Sequence, residues 1–124
     1  MGKKVLVVDD SSAIRKSVAF MLSKSGYETI EAGNGREALG MLDSMRPDLI
    51  ICDVNMPVMD GIAVLRALKN NNDYSSHRFV PVLMLTTESE KSLMEEGKKE
   101  GARAWMLKPF DAAKLMSSVK MIIG

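Results

Sequence analysis

Four apolar runs along this chain each end at a reactive polar residue. Val5-Leu6-Val7-Val8 ends at Asp9-Asp10, and Leu49-Ile50-Ile51-Cys52 ends at Asp53. Val82-Leu83-Met84-Leu85 ends at Thr86-Thr87, and Trp105-Met106-Leu107 ends at Lys108-Pro109. Short continuous runs of aliphatic and β-branched residues between turn residues predict strands buried on both faces, as in a parallel sheet. Tyr27-Glu28-Thr29-Ile30 predicts a further, weaker strand.

Helical spacing fills the intervals. Ile14, Val18, Met21 and Leu22 follow Ser11-Ser12, either of which can cap a first helix that Gly26 ends. Asn34 and Glu37 form a capping-box pattern for a second helix lined by Ala38, Met41, Leu42 and Met45 and stopped by Pro47. Asp60 is placed to cap a third, with Ile62, Leu65 and Leu68 inward, and polar residues 70–79 read as an exposed loop. Ala112, Leu115, Met116, Val119, Ile122 and Ile123 mark a fifth. Between Glu88 and Glu100 only Leu93 and Met94 are clearly apolar. Gly97 there costs a helix interior roughly 1 kcal/mol relative to Ala, so this fourth helix is expected to be the least stable. Strand and helix thus alternate five times, giving the class α/β: a (βα)₅, doubly wound parallel sheet in one domain over residues 1–124.

Composition narrows the partners. A formal net charge of +1 gives no reason to expect nucleic acid or a membrane surface. No apolar stretch approaches a membrane span, and the run after Lys3-Lys4 stops too soon at two aspartates for a secretory signal. A lone Cys52 inside an apolar run is read as a small hydrophobe in a reducing, cytoplasmic setting. The 11 methionines are read as core filler, with Met94 held open, and His77 as solvated.

In an open parallel sheet, ligands bind in the crevice outside the carboxyl ends of the strands. Asp9, Asp10, Asp53, Thr86, Thr87 and Lys108 would converge there. Carboxylates suit Mg²⁺, which keeps several waters and takes one or two protein carboxylates plus phosphate oxygen. Of Asp9 and Asp10, one can ligate directly and the other through water. Asp53 can add a ligand and act as nucleophile, since carboxylates form aspartyl-phosphates. Lys108 supplies a point charge and Thr86 a hydroxyl donor for phosphoryl oxygens. Three crowded carboxylates should raise one pKa unless Lys108 offsets the crowding, and metal affinity should fall in acid.

These elements together (Val7-Val8-Asp9-Asp10, Asp53 with Met56-Pro57 and Asp60-Gly61, Thr86, and Lys108-Pro109-Phe110) resemble the receiver domain of two-component response regulators, over essentially the whole chain. The resemblance implies the strand order 2-1-3-4-5, phosphorylation of Asp53, Mg²⁺ at Asp9, Asp10 and Asp53 with the backbone carbonyl of Asn55, a switch hydroxyl at Thr86 and a phosphate-pairing Lys108. It also implies an aromatic rotamer switch at Trp105, a narrowed phosphoryl route at Thr87 and tuning of phosphate lifetime by Asn55 and Glu88. With His77 a poor phosphodonor, the donor must be a partner histidine kinase.

The expected function is a stand-alone, monomeric phospho-acceptor switch with Mg²⁺ as cofactor, remodelling the face of the fourth helix, fifth strand and fifth helix. Trp105 and the length favour chemotaxis, with a flagellar motor switch protein as target and a phosphatase as a further partner. A phosphorelay intermediate or a receiver cut from a transcriptional regulator is the alternative. An aspartyl-phosphate phosphatase is disfavoured because Asn55 stands where such a site has its second acid, and an amide is no general acid. A flavodoxin-like cofactor binder lacks a phosphate cradle after the first strand.

Overall fold

The buried runs form the centre of the structure, a computed structural model that describes residues 2–87 and 91–124. Its elements are β1 (Lys4–Val8), α1 (Ser12–Lys24), β2 (Glu28–Ala32), α2 (Gly35–Met41), β3 (Leu49–Asp53) and α3 (Gly61–Asn70). A short 3₁₀ turn at Asn72–His77 leads to β4 (Val82–Thr87), α4 (Lys91–Lys99), β5 (Ala104–Lys108) and α5 (Ala112–Ile123). All strand pairs are parallel and the order is β2-β1-β3-β4-β5.

Alternation along each strand divides the core between two helical layers. Leu6, Val8, Ile50, Cys52, Val82 and Met84 face α2 and α3, whereas Val5, Val7, Leu49, Ile51, Leu83 and Leu85 face α1 and α5. Each fully buried aliphatic side chain contributes roughly 1.5–3 kcal/mol. The strands that carry the site are therefore its most firmly held parts. Because every strand runs the same way, Asp9, Asp53, Thr86 and Lys108 reach one edge. The chain reverses its winding direction between β1 and β3, which opens the crevice there.

Local chemistry sets the helix starts. The Ser11 hydroxyl accepts the Ile14 N–H at 3.3 Å, Asn34 accepts that of Glu37 at 2.9 Å, and Asp60 accepts that of Ala63 at 2.8 Å. The second strand begins one residue later than the sequence suggested and runs on to Ala32, with Tyr27 buried just ahead of it.

Two expectations need correction. Residues 70–79 are not wholly an exposed loop, since the 3₁₀ turn packs against α3 and carries His77 to the C-terminal end of α2. His77 is not solvated: it is buried, with Nε2 3.0 Å from the Leu42 carbonyl at the α2 C-terminus. A polar ring can be buried there because it meets a terminal carbonyl, a contact that sequence spacing does not show.

The β3–α3 loop is tightened by a hydrogen bond from the Met59 N–H to the Pro57 carbonyl at 2.7 Å, across Val58 at φ 70°. A β-branched residue is strained there, and the Val58 side chain is exposed, so little burial compensates. Val58→Gly is expected to stabilise the protein by roughly 0.5–1 kcal/mol, the relief of strain exceeding the added chain entropy of glycine. Equal or lower stability in urea titration would count against the strain.

Candidate functional site

Asp9 follows the last residue of β1 and is almost completely buried. Its Oδ1 accepts the Ser11 N–H at 2.9 Å, while its Oδ2 accepts from Lys108 Nζ at 3.0 Å. Asp53, the last residue of β3, is 6% exposed and lies 3.2 Å from the same ammonium group through its Oδ2. Asp10 is exposed at the rim. One carboxylate oxygen from each of Asp9, Asp10 and Asp53 lies within 4.8 Å of the others. The predicted acidic pair is thus divided, one member fixed beneath the crevice and one facing outward.

The electrostatics follow from this crowding. Burial, and then the neighbouring Asp9 charge, push the Asp53 carboxyl above its ordinary range. Lys108 and the Asn55 backbone N–H pull it back only in part. Burial alone would depress Lys108, but its hydrogen bond to Asp9 and the Asp53 charge outweigh that and leave its pKa raised. Lys108 therefore stays charged and does not fully offset the crowding. All three acids offer hard oxygen donors, the kind Mg²⁺ prefers. The nearest thiol, Cys52, is fully buried in the core and pushed strongly upward by desolvation, so it offers no soft ligand.

A group with a raised carboxyl pKa contributes its stability below the unfolded value and loses it as pH rises through the folded value. Asp53→Asn is accordingly expected to stabilise the metal-free protein at neutral pH by on the order of 1 kcal/mol, or a few degrees in melting temperature. The gain should vanish near pH 4. A neutral-pH melt unchanged or lowered by the substitution would contradict the crowding.

The remaining predicted residues ring this centre. Thr86 is buried at the end of β4, and its hydroxyl donates to the Thr87 carbonyl at 3.3 Å. Thr87 is exposed and lines a groove of about 400 Å³ with Ile14, Met21, Lys108 and Phe110. Asn55 is exposed beyond Asp53. Trp105 lies half-buried with its ring against α4. Glu88 lies outside the described residues.

Arg15 went unnoticed in the sequence, and Gly61 entered there only as part of the Asp60-Gly61 motif, without a role of its own. Arg15 donates to the Asp9 carbonyl at 2.6 Å and pairs with Glu31 at 3.2 Å, so a residue on the first turn of α1 braces the Asp9 backbone. Its long side chain follows no hydrophobic period. Gly61 could have been suspected from the Asp60-Gly61 pair, where a cap precedes a residue with no side chain.

The response regulator receiver domain family matches residues 5–120. The chain is 35% identical over 123 residues to the transcriptional regulatory protein PdtaR of Mycobacterium tuberculosis, covering 98% of this chain and 57% of that protein. It is 35% identical to sporulation initiation phosphotransferase F of Bacillus subtilis, covering 97% and 93%. It spans about half the length of other curated relatives it matches, among them the regulators PhoP of Bacillus subtilis and MprA of Mycolicibacterium vanbaalenii. Among solved structures it resembles chemotaxis protein CheY4 of Vibrio cholerae, with a TM-score of 0.90 and 43% identity over 98% of this chain and 99% of that one.

Proposed function

We propose that this chain, which belongs to the response regulator receiver domain family, accepts a phosphoryl group on Asp53 from the phosphohistidine of a partner kinase. Receiver domains are phosphorylation-dependent switches of two-component signalling. They take phosphate from histidine kinases, bind Mg²⁺ at an acidic pocket and engage downstream targets. The observation that carries the reading is the convergence of Asp9, Asp10 and Asp53 within 4.8 Å around a crevice into which Lys108 projects.

Asp9, Asp10, Asp53 and the Asn55 carbonyl would hold Mg²⁺, which would neutralise charge on the phosphoryl oxygens. Asp53 supplies the attacking carboxylate oxygen. Lys108, already within reach of Asp53, pairs with a phosphoryl oxygen after transfer. Thr86 exchanges its bond to the Thr87 carbonyl for one to the phosphoryl group, and Trp105 follows into the space that leaves. Thr87 narrows the approach, while Asn55 and Glu88 tune how long the phosphate survives. The added charge of about −1.5 to −2 thereby remodels the α4-β5-α5 face for a protein target.

Chemotaxis, with a flagellar motor switch protein as target, is favoured by the likeness to CheY4. Phosphotransfer to another histidine is the second reading, favoured by the near full-length match to a sporulation phosphotransferase. Most of the other curated relatives are transcriptional regulators, which keeps a DNA-binding output in view.

The test is intact mass after incubation with acetyl phosphate. A single Mg²⁺-dependent phosphoryl adduct is expected in the wild type and none in Asp53→Asn. Wild-type protein that took no adduct, or a variant that took one equally, would sink the proposal.

A further inference from the structure

Gly97 stands in the interior of α4, where the sequence offers no reason for a glycine. It is the only fully buried position of that helix among the described side chains. A Cβ built on it would lie 2.1 Å from Cζ3 and 2.7 Å from Cη2 of Trp105. Those atoms form the far edge of a rigid ring, so the ring cannot yield by bending; it must rotate away or push the helix off. The indole Nε1 is buried and finds no hydrogen-bond partner among the described residues, which gives the ring a reason to leave. Packing holds the ring in and polarity pushes it out.

Leu93 of α4 also packs against the core, but the polar tie between α4 and α3 is weaker. Arg66 of α3 donates to Glu96 and, at 2.9 Å, to Glu100, which flank Gly97. The Arg66 side chain is 50% exposed, so these pairs are well solvated. We propose that Gly97 is the seat of the Trp105 ring, and that this seat, more than the ion pairs, holds α4 against the sheet at rest. Gly97 is a positioning residue acting through Trp105. Its consequence for signalling, that vacating the seat accompanies activation, rests on the phosphorylation of Asp53 proposed above. The seat itself does not.

The experiment is a thermal-melt cycle on unphosphorylated protein, read by circular dichroism, comparing wild type, Gly97→Ala, Trp105→Ala and the double variant. Alanine is the better helix former, so Gly97→Ala should raise the melting temperature once the ring is absent and lower it while the ring is present. That reversal of sign is the expected result. A rise of equal size in both backgrounds would overturn the seat, as would failure of both Gly97→Ala proteins to fold. Failure of the single variant alone would support it. Trp105 is the only tryptophan, so emission from folded Gly97→Ala reports the ring directly. A red shift with at least twofold greater acrylamide quenching is expected, and an unchanged spectrum would overturn the proposal. With acetyl phosphate, the ring should leave the seat for the space beside the buried Thr86, so wild-type emission should shift and quenching should fall below its resting value. A rise in adduct without a fall in quenching would remove the signalling consequence. Absence of any adduct would remove the Asp53 reading instead, leaving the melt cycle to decide the seat.

Discussion

Replacing Lys108 by methionine is expected to cost the metal-free protein about 2–3 kcal/mol at neutral pH, somewhat below the 3–5 kcal/mol typical when a fully buried ion pair is broken. The discount reflects the 18% exposure of the lysine side chain. Methionine keeps the stem packed and removes the charge, leaving Asp9 and Asp53 buried side by side with their shared cation gone. Asp53 is already raised by burial and by Asp9, and without Lys108 it loses a major opposing influence. The site's stability is then complete below the unfolded aspartate pKa of about 3.9 and lost as pH rises through the raised folded value. Lys108 itself has a raised pKa, so its contribution is present below about 10.4 and lost as pH rises through its folded value. Urea titrations of the two proteins should therefore converge near pH 4 and again in strong alkali, and differ most between. Added Mg²⁺ should recover part of the neutral-pH deficit. A deficit independent of pH would mean that packing, not charge, was lost.

This site was legible because strand ends are legible. Asp9, Asp53, Thr86 and Lys108 close four apolar runs, and a parallel sheet brings such ends to one edge whatever the intervening residues do. The strand order was readable only through resemblance, since periodicity finds strands but does not order them. Failures fell where the deciding partner is distant in sequence. His77 looked solvated because Leu42, whose carbonyl its ring meets, lies 35 residues away. Gly97 looked like a defect in a weak helix because the ring that occupies its missing side-chain volume belongs to β5. Helix starts were read well, because each cap lies three residues from the N–H it binds.

Gly61→Ala shows what such distant contacts imply for the chemistry. Helix propensity alone assigns this substitution a gain approaching 1 kcal/mol. Yet a Cβ on Gly61 would stand 2.4 Å from the Asp53 carbonyl oxygen, 2.7 Å from Met84 Cε and 3.0 Å from Val54 Cα. Met84 can shift, but two of these neighbours are backbone atoms. The Gly61 N–H also donates to the Val54 carbonyl at 2.9 Å, while the Val54 N–H donates to Leu85 at 2.9 Å, tying the loop to β4. The methyl group must therefore displace α3 from β3 or move the Asp53 main chain. An overall loss of about 2–3 kcal/mol is expected, in the range of an overpacked core. The rate of phosphoryl adduct formation should fall on the order of tenfold, because reactions between positioned groups are sensitive to displacements of an ångström. Asp60→Ala removes the α3 cap without entering this space, at a cost of about 1 kcal/mol. It should leave the adduct rate nearly unchanged, so the pair of variants separates a misplaced Asp53 from a merely loosened helix. Equal slowing in both would locate the sensitivity in α3 as a whole.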